Sequence, residues 1–206
     1  LPYSVFINKQ NPNIYNNMDI NRDPWEHAVV CNYYDNQLFS CMKTELEDLA
    51  IKLKTKYASQ TKQIILTLDQ ESQCFACGNL KIIKPLPHTK TCLESLNIKS
   101  DDLKHFSYHR PFETLELKTN INICFDDMNY PIHDDVAYKI LTNVIFVGPD
   151  VSHGTALYDK DKNYIKEIDW APNTSLIFPP KDSVTWHSYK SLSDSYRITI
   201  NQFLVK

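Results

Sequence analysis

Glycine is almost missing from this chain. Only Gly78, Gly148 and Gly154 occur in 206 residues. A dinucleotide fingerprint and a phosphate-cradling loop both need clustered glycines, because only a residue without Cβ lets backbone N–H groups close on a phosphate. Neither loop can be built here, which excludes the common nicotinamide, flavin and ATP enzymes. A G-x-S-x-G nucleophile elbow is absent as well. No apolar run approaches the roughly 18 residues of a membrane helix. Positive charge is not in excess: the formal net charge is −3. A surface without a basic patch does not hold a phosphate backbone, so no nucleic-acid partner is expected. Cysteines are present, but at irregular spacing and in a chain long enough to build a core, so no disulfide framework is expected. No charged-then-apolar leader is visible, and the expectation is a soluble, cytoplasmic protein with no membrane partner.

What is present falls into two parts. The first 25 or so residues are Asn-rich and Pro-punctuated, which reads as an irregular arm. "HAVVCNYY" (His27 to Tyr34) reads as a strand. Leu38, Met42, Leu46, Leu49 and Leu53 then recur at helical spacing, with Asp35 or Asn36 placed to cap the helix. "QIILTL" (Gln63 to Leu68) reads as a strand and "SDDLKHF" (Ser100 to Phe106) as a short capped helix. From Leu115 to Phe125 the period changes to two. Leu115, Leu117, Thr119, Ile121, Ile123 and Phe125 alternate with Glu116, Lys118, Asn120 and Asn122, the pattern of a half-buried strand. More short runs follow, separated by turn residues: "KILTNVIFV", "TALYD", "YIKEIDW", "TSLIF", "SVTWHS" and "YRITINQFLV". Many short strands in this arrangement imply a sandwich or jelly roll. The expected class is α+β, mainly β.

One constellation carries chemistry. In "YPIHDDVAYKILTNVIFV", His133 and Asp135 stand at i and i+2, so on extended chain both side chains point to one face. His187 in "VTWHS" can add a third ligand from another strand. Arg197 and Thr199 in "YRITINQF" are again i and i+2, offering a guanidinium and a hydroxyl together. Two imidazoles and one carboxylate on one face of a metal leave positions open for an organic acid and O₂, a geometry that suits non-haem Fe(II). A buried arginine at the far end suits a bidentate carboxylate.

This order of H-x-D, a distal His about 50 residues on and R-x-S/T about ten further resembles the Fe(II)/2-oxoglutarate-dependent oxygenase superfamily. "HDDVAYKILTNVIFV", "HGTALYD", "PNTSLIFPP" and "VTWHS" are similar to the strand-by-strand pattern of its prolyl-hydroxylase-like branch. The resemblance covers roughly Ile121 to Val205. It implies a double-stranded β-helix of the jelly-roll or cupin-like kind, with N-terminal helices packed on one face. Residues 1–206 would form one domain, with residues 1–110 as an α/β support and residues 111–206 as the core. It further implies Fe(II) held by His133, Asp135 and His187, with 2-oxoglutarate and O₂ as co-substrates. Arg197, helped by Thr199, would hold the distal carboxylate of 2-oxoglutarate. The implied reaction is hydroxylation of a peptide, protein or amino-acid substrate, a prolyl residue among the candidates, with release of succinate and CO₂. Two departures stand out. One glycine, Gly154, occupies a place where the branch usually has two, and Phe146 stands near where a tyrosine assists 2-oxoglutarate binding.

Other clusters compete for attention. Cys74, Cys77, His88 and Cys92 together offer a possible structural zinc set, against which stands the plainer reading of buried free thiols. His105 and His109 read as ordinary loop histidines, and His153 as a weaker iron ligand or a residue at the pocket mouth. Tyr138, Tyr158, Trp170 and Trp186 are candidates to shape a substrate pocket, of which Tyr138 follows the metal motif most closely. Two alternatives to the oxygenase remain: a cupin-like metal enzyme that does not use 2-oxoglutarate, and a non-catalytic β-roll binding module.

Overall fold

The computed structural model describes residues 18–67, 86–107 and 111–206. Two short strands, β1 (Ile20–Asn21) and β2 (His27–Val30), precede helix α1 (Asn36–Tyr57) and strand β3 (Gln63–Thr67). Helix α2 (Pro87–Ser95) and a 3-10 helix (Ser100–His105) follow. The rest is strand: β4 (Glu116–Phe125), β5 (Asn129–His133), β6 (Lys139–Gly148), β7 (Thr155–Tyr158), β8 (Tyr164–Ile168), β9 (Thr174–Phe178), β10 (His187–Lys190) and β11 (Tyr196–Val205). They form a seven-stranded sheet in the order β1-β2-β9-β6-β11-β4-β3 and a four-stranded sheet in the order β5-β10-β7-β8. The pairings are antiparallel. The architecture is a double-stranded β-helix with helices bracing the large sheet, as the sequence implies.

Helix α1 begins where Asp35 accepts hydrogen bonds from the backbone N–H groups of Gln37 and Leu38, at 2.9 and 3.1 Å. Such a cap satisfies donors that no earlier turn of helix can reach. The wholly buried stripe is Phe39, Met42, Leu46, Ala50 and Leu53, while Leu38 and Leu49 flank it. The stripe packs on Ile121, Ile123, Ile145, Ile198 and Ile200, the outer face of the large sheet. Each large apolar side chain buried there contributes roughly 2 kcal/mol. A second apolar cluster of Trp25, Phe146, Leu157, Ile168, Leu176 and Phe178 lies between the two sheets.

Three details differ from the sequence reading. The strand at His27 stops at Val30, because Asn32 adopts a left-handed conformation (φ 51°) that no strand accommodates. Helix α2 falls in a stretch to which the sequence pattern assigns no element; Pro87 opens it, as proline does at a first helical turn. The zinc expectation needs Cys74 and Cys77, which lie outside the described residues. Of its other members, His88 is exposed and Cys92 is wholly buried in α2. Burial pushes the Cys92 thiol up to about 12, and a protonated thiol is a poor zinc ligand. His109 also lies outside the described residues. Among the described residues no helix is long and apolar enough to cross a membrane.

Candidate active site

The alternation of β4 and β11 decides where the site lies. Ile121 and Ile123 of β4, like Ile198 and Ile200 of β11, pack against the helices. Their alternate neighbours Lys118, Asn120, Asn122, Arg197, Thr199 and Asn201 therefore face the space between the sheets, where they line a cavity of about 380 Å³. The polar face of β4 thus faces a pocket, where the sequence pattern alone suggested a solvated side.

His133, Asp135 and His187 line the same cavity, and their ligand atoms lie within 4.8 Å of one another. His133 ends β5 and pairs directly with His187, the first residue of β10, with ring centroids 4.2 Å apart. Asp135 lies just beyond β5, where the side chains of Lys139 and Thr142 hold its carboxylate. Each histidine has Nδ1 against a backbone carbonyl, Pro131 at 3.0 Å for His133 and Thr185 at 2.9 Å for His187. That contact places the proton on Nδ1 and leaves Nε2 with a free lone pair.

The electrostatics prepare these groups for a cation. Burial, reinforced by the neighbouring His133, lowers the His187 pKa to about 4, so its imidazole is neutral at physiological pH. Burial alone would raise the Asp135 carboxyl. It is outweighed by the charges of His187 and Lys139 and by hydrogen bonds from Lys139 and Thr142, and the carboxyl lies below its usual range. Because His187 is neutral near pH 7, Lys139 is the standing cation. Its Nζ lies 2.6 Å from Asp135 Oδ1, and Thr142 Oγ1 donates to Oδ2 at 2.6 Å. Each carboxylate oxygen keeps a lone pair, and the two donors fix the plane in which it is offered. Two imidazoles and a buried, oriented carboxylate fit a divalent transition metal.

The pH consequence is definite for the metal-free protein. The folded state keeps His187 unprotonated where the unfolded chain, with a pKa near 6.5, takes up a proton. Stability is therefore complete above pH 6.5 and falls as the pH drops from 6.5 toward 4, by about 3 kcal/mol from this group. Asp135, with its lowered pKa, adds a loss of the same sign at more acid pH. Urea unfolding at a series of pH values, with chelator present, measures the slope.

Arg197 is 1% exposed and has no carboxylate within ion-pair distance among the described residues. Its Nε donates to the His153 carbonyl at 3.2 Å. Nη2 makes longer contacts of 3.4 and 3.5 Å to the Gly154 carbonyl and Thr155 Oγ1. Rings of Phe146, Trp170 and Tyr189 surround it, with Cζ 5.6, 5.0 and 4.8 Å from their centroids. Nη1 is without a partner among the described residues. Thr199, on the same face, is 1% exposed, and its Oγ1 is also unpartnered among them, as is Asn201 Oδ1. A guanidinium buried this way is stable only if an anion completes it.

Gly154 makes that arrangement possible. A Cβ on it would sit 1.7 Å from the Ile168 carbonyl oxygen, and its N–H donates to Glu167 Oε1 at 2.7 Å. Gly154→Ala is expected to destabilise the protein by about 3 kcal/mol, because the clash is with backbone and cannot be relieved by a rotamer change. Thermal or urea unfolding of the variant against the parent checks this.

His153 does not join the three clustered ligands: its Nδ1 lies 3.8 Å from Glu167 Oε1, and its contribution to the site is a backbone carbonyl. Tyr138 is 53% exposed at the cavity edge. Trp170 stacks on Phe146 at 4.8 Å and so backs Arg197. Trp186 instead lies under Lys162, and Tyr158 hydrogen-bonds Ser188. Sequence reasoning missed Lys139, Thr142, Asn122 and Tyr189. Only Lys139, four residues after Asp135, and Tyr189, two after His187, carried a spacing that signals them.

No known family model matches the chain, and no curated protein matches it in sequence. Solved structures do share the fold. A prolyl hydroxylase from Trichoplax adhaerens, in complex with a peptide fragment of the hypoxia inducible factor oxygen degradation domain, superposes with a TM-score of 0.56 at 14% identity. The match covers 87% of this chain and 83% of that one. AviO1 from Streptomyces viridochromogenes Tue57 superposes with a TM-score of 0.55 at 11% identity, covering 87% and 89%. A viral collagen prolyl hydroxylase from Paramecium Bursaria Chlorella virus-1, in complex with 2-oxoglutarate, gives 0.45 at 13% identity, covering 89% and 97%. The likeness to the first two establishes a shared fold.

Proposed function

We propose that this protein is an Fe(II)- and 2-oxoglutarate-dependent dioxygenase that hydroxylates a peptidyl residue, proline among the candidates, or an amino acid. The observation that carries this reading is the meeting, in one cavity, of the His133–Asp135–His187 donor set with a buried guanidinium lacking a carboxylate partner among the described residues. His133 and His187 would offer Nε2, and Asp135 one carboxylate oxygen, to Fe(II). The iron, when bound, supplies the activation of O₂ that drives oxidative decarboxylation of 2-oxoglutarate. The net reaction would convert 2-oxoglutarate and O₂ to succinate and CO₂ while the substrate gains a hydroxyl.

The chain's own residues do the positioning. Arg197 receives the distal carboxylate, Nη1 being its free donor, and the Thr199 hydroxyl adds a second contact. Lys139 and Thr142 keep the Asp135 carboxylate turned to the metal. Phe146, Trp170 and Tyr189 wall off water around the ion pair, which strengthens it. Ile132, Val136 and Tyr138 stand 38, 49 and 53% exposed around the carboxylate-bearing turn. Of these, Tyr138 lines the cavity, and exposed apolar side chains beside it suit a polypeptide segment better than a single amino acid. The fold's occurrence in a prolyl hydroxylase seen with a peptide supports the same preference.

Anaerobic titration with Fe(II) and then 2-oxoglutarate tests the reading. A weak visible charge-transfer band, followed by succinate formation when air is admitted, is the expected result. Iron binding without that band would favour a cupin-like metal enzyme that does not use 2-oxoglutarate. No iron binding would leave a non-catalytic β-roll module.

A further inference from the structure

One wall of the cavity is explained neither by the metal ligands nor by Arg197. Tyr189 follows His187 by two residues on β10, so the two side chains share a face. Its ring stacks on Tyr130 at 4.8 Å and 9°, and it lies beneath the Arg197 guanidinium. Its hydroxyl oxygen accepts hydrogen bonds from Gln63 Nε2 at 3.0 Å and Asn122 Nδ2 at 3.2 Å. Gln63 Nε2 also donates to Asn122 Oδ1 at 2.9 Å, which ties the two amides together and fixes the position of the phenol oxygen.

This network has a direction. Both partners of the Tyr189 oxygen are amide nitrogens, which donate and cannot accept. The phenol's own hydrogen therefore has no acceptor among the described residues, and it lies at the wall of a cavity that also contains Arg197, Thr199 and the metal-ligand set. The place on β6 where a tyrosine would be expected is filled by Phe146, which has no hydroxyl and stacks on Trp170.

We infer that Tyr189 is a co-substrate-binding residue: its O–H donates to a carboxylate oxygen of the 2-oxoglutarate seated on Arg197, from β10, in place of the phenol missing on β6. The inference rests on the function proposed above. Gln63 and Asn122 act through Tyr189 as positioning residues, because their two N–H donors occupy the acceptor positions of the phenol oxygen and leave its hydrogen for a third partner. The assignment also accounts for an amide pair reaching across β3 and β4 to a single phenol.

The test is calorimetric titration of 2-oxoglutarate into the Mn(II)-loaded protein, without oxygen, for the parent and Tyr189→Phe. The variant keeps the ring stack and lacks only the hydroxyl. The expected result is 2-oxoglutarate binding about tenfold or more weaker, as for one hydrogen bond to a charged group, with Mn(II) affinity unchanged. Equal 2-oxoglutarate affinity in parent and variant would overturn the role of Tyr189 and leave the oxygenase reading standing. A parallel loss of Mn(II) affinity would assign Tyr189 to supporting His187 and would also overturn it. A parent protein that binds Mn(II) but no 2-oxoglutarate would overturn the oxygenase reading, and this inference with it.

Discussion

Asp135→Ala is expected to weaken divalent-metal binding by about a hundredfold to a thousandfold and to abolish turnover. Asp135 is the only carboxylate in the His133–Asp135–His187 group. Without it, two imidazoles face a metal with no negative charge to offset it. The loss is sharpened by Lys139, whose ammonium lies 2.6 Å from the Asp135 carboxylate. Once the carboxylate is gone, that cation remains beside the metal position and repels any ion that enters. The same truncation leaves a largely buried ammonium and the Thr142 hydroxyl without their acceptor, so stability should fall as well, by about 3 kcal/mol. Asp135→Asn separates the two effects. Its amide oxygen still accepts from Lys139 and its shape is unchanged, so the fold is spared more than the metal affinity. Titration with Mn(II) or Co(II), together with urea unfolding, reads both quantities on the parent and the two variants. Full metal affinity and turnover in Asp135→Ala would show that the metal is held elsewhere.

Arg197→Met should have the opposite balance of effects. Binding of 2-oxoglutarate should weaken by about a hundredfold or more, because a desolvated charge pair with paired N–H donors is lost. Metal affinity should be unchanged, since Arg197 does not belong to the ligand group. Stability without ligand should not fall and is expected to rise. In the unliganded protein Arg197 is 1% exposed, and its contacts are carbonyls, a hydroxyl and aromatic rings rather than a carboxylate. Such a charge opposes folding until an anion completes it, and an apolar chain of similar length removes that opposition. The parent should therefore gain several degrees in melting temperature when 2-oxoglutarate is added to the Mn(II) form, and the variant should gain none. A variant with undiminished 2-oxoglutarate affinity would place the co-substrate elsewhere in the cavity.

Much of this site is legible before any fold is known. Period-two alternation marks β4, and the i, i+2 spacing puts His133 with Asp135 and Arg197 with Thr199. For Arg197 and Thr199, both on β11, that is a local fact of extended chain; Asp135 lies beyond the end of β5, so its meeting with His133 and His187 is set by the tertiary structure. Less legible were the limits of elements. A left-handed Asn32 ends β2 early, and a run with no clear pattern forms α2 because its residues find a face on α1 and the sheet. In such segments tertiary packing outweighs a weak local preference.

The sequence by itself determined the donor types, their pairing along each strand and the shortage of glycine that excludes nucleotide-binding loops. Those properties follow from residue chemistry and from a two-residue repeat, and need no partner strand. Only the tertiary structure decided that the polar face of β4 looks into a cavity and not into solvent, because the helices occupy the opposite face of the large sheet. It alone decided that Lys139 and Thr142 clamp Asp135, that Arg197 is buried without a carboxylate partner among the described residues, and that Gln63, Asn122 and Tyr189 meet. The last of these contacts joins residues 126 positions apart. Strand order and register bring such residues together, and neither is written in any single segment of the chain.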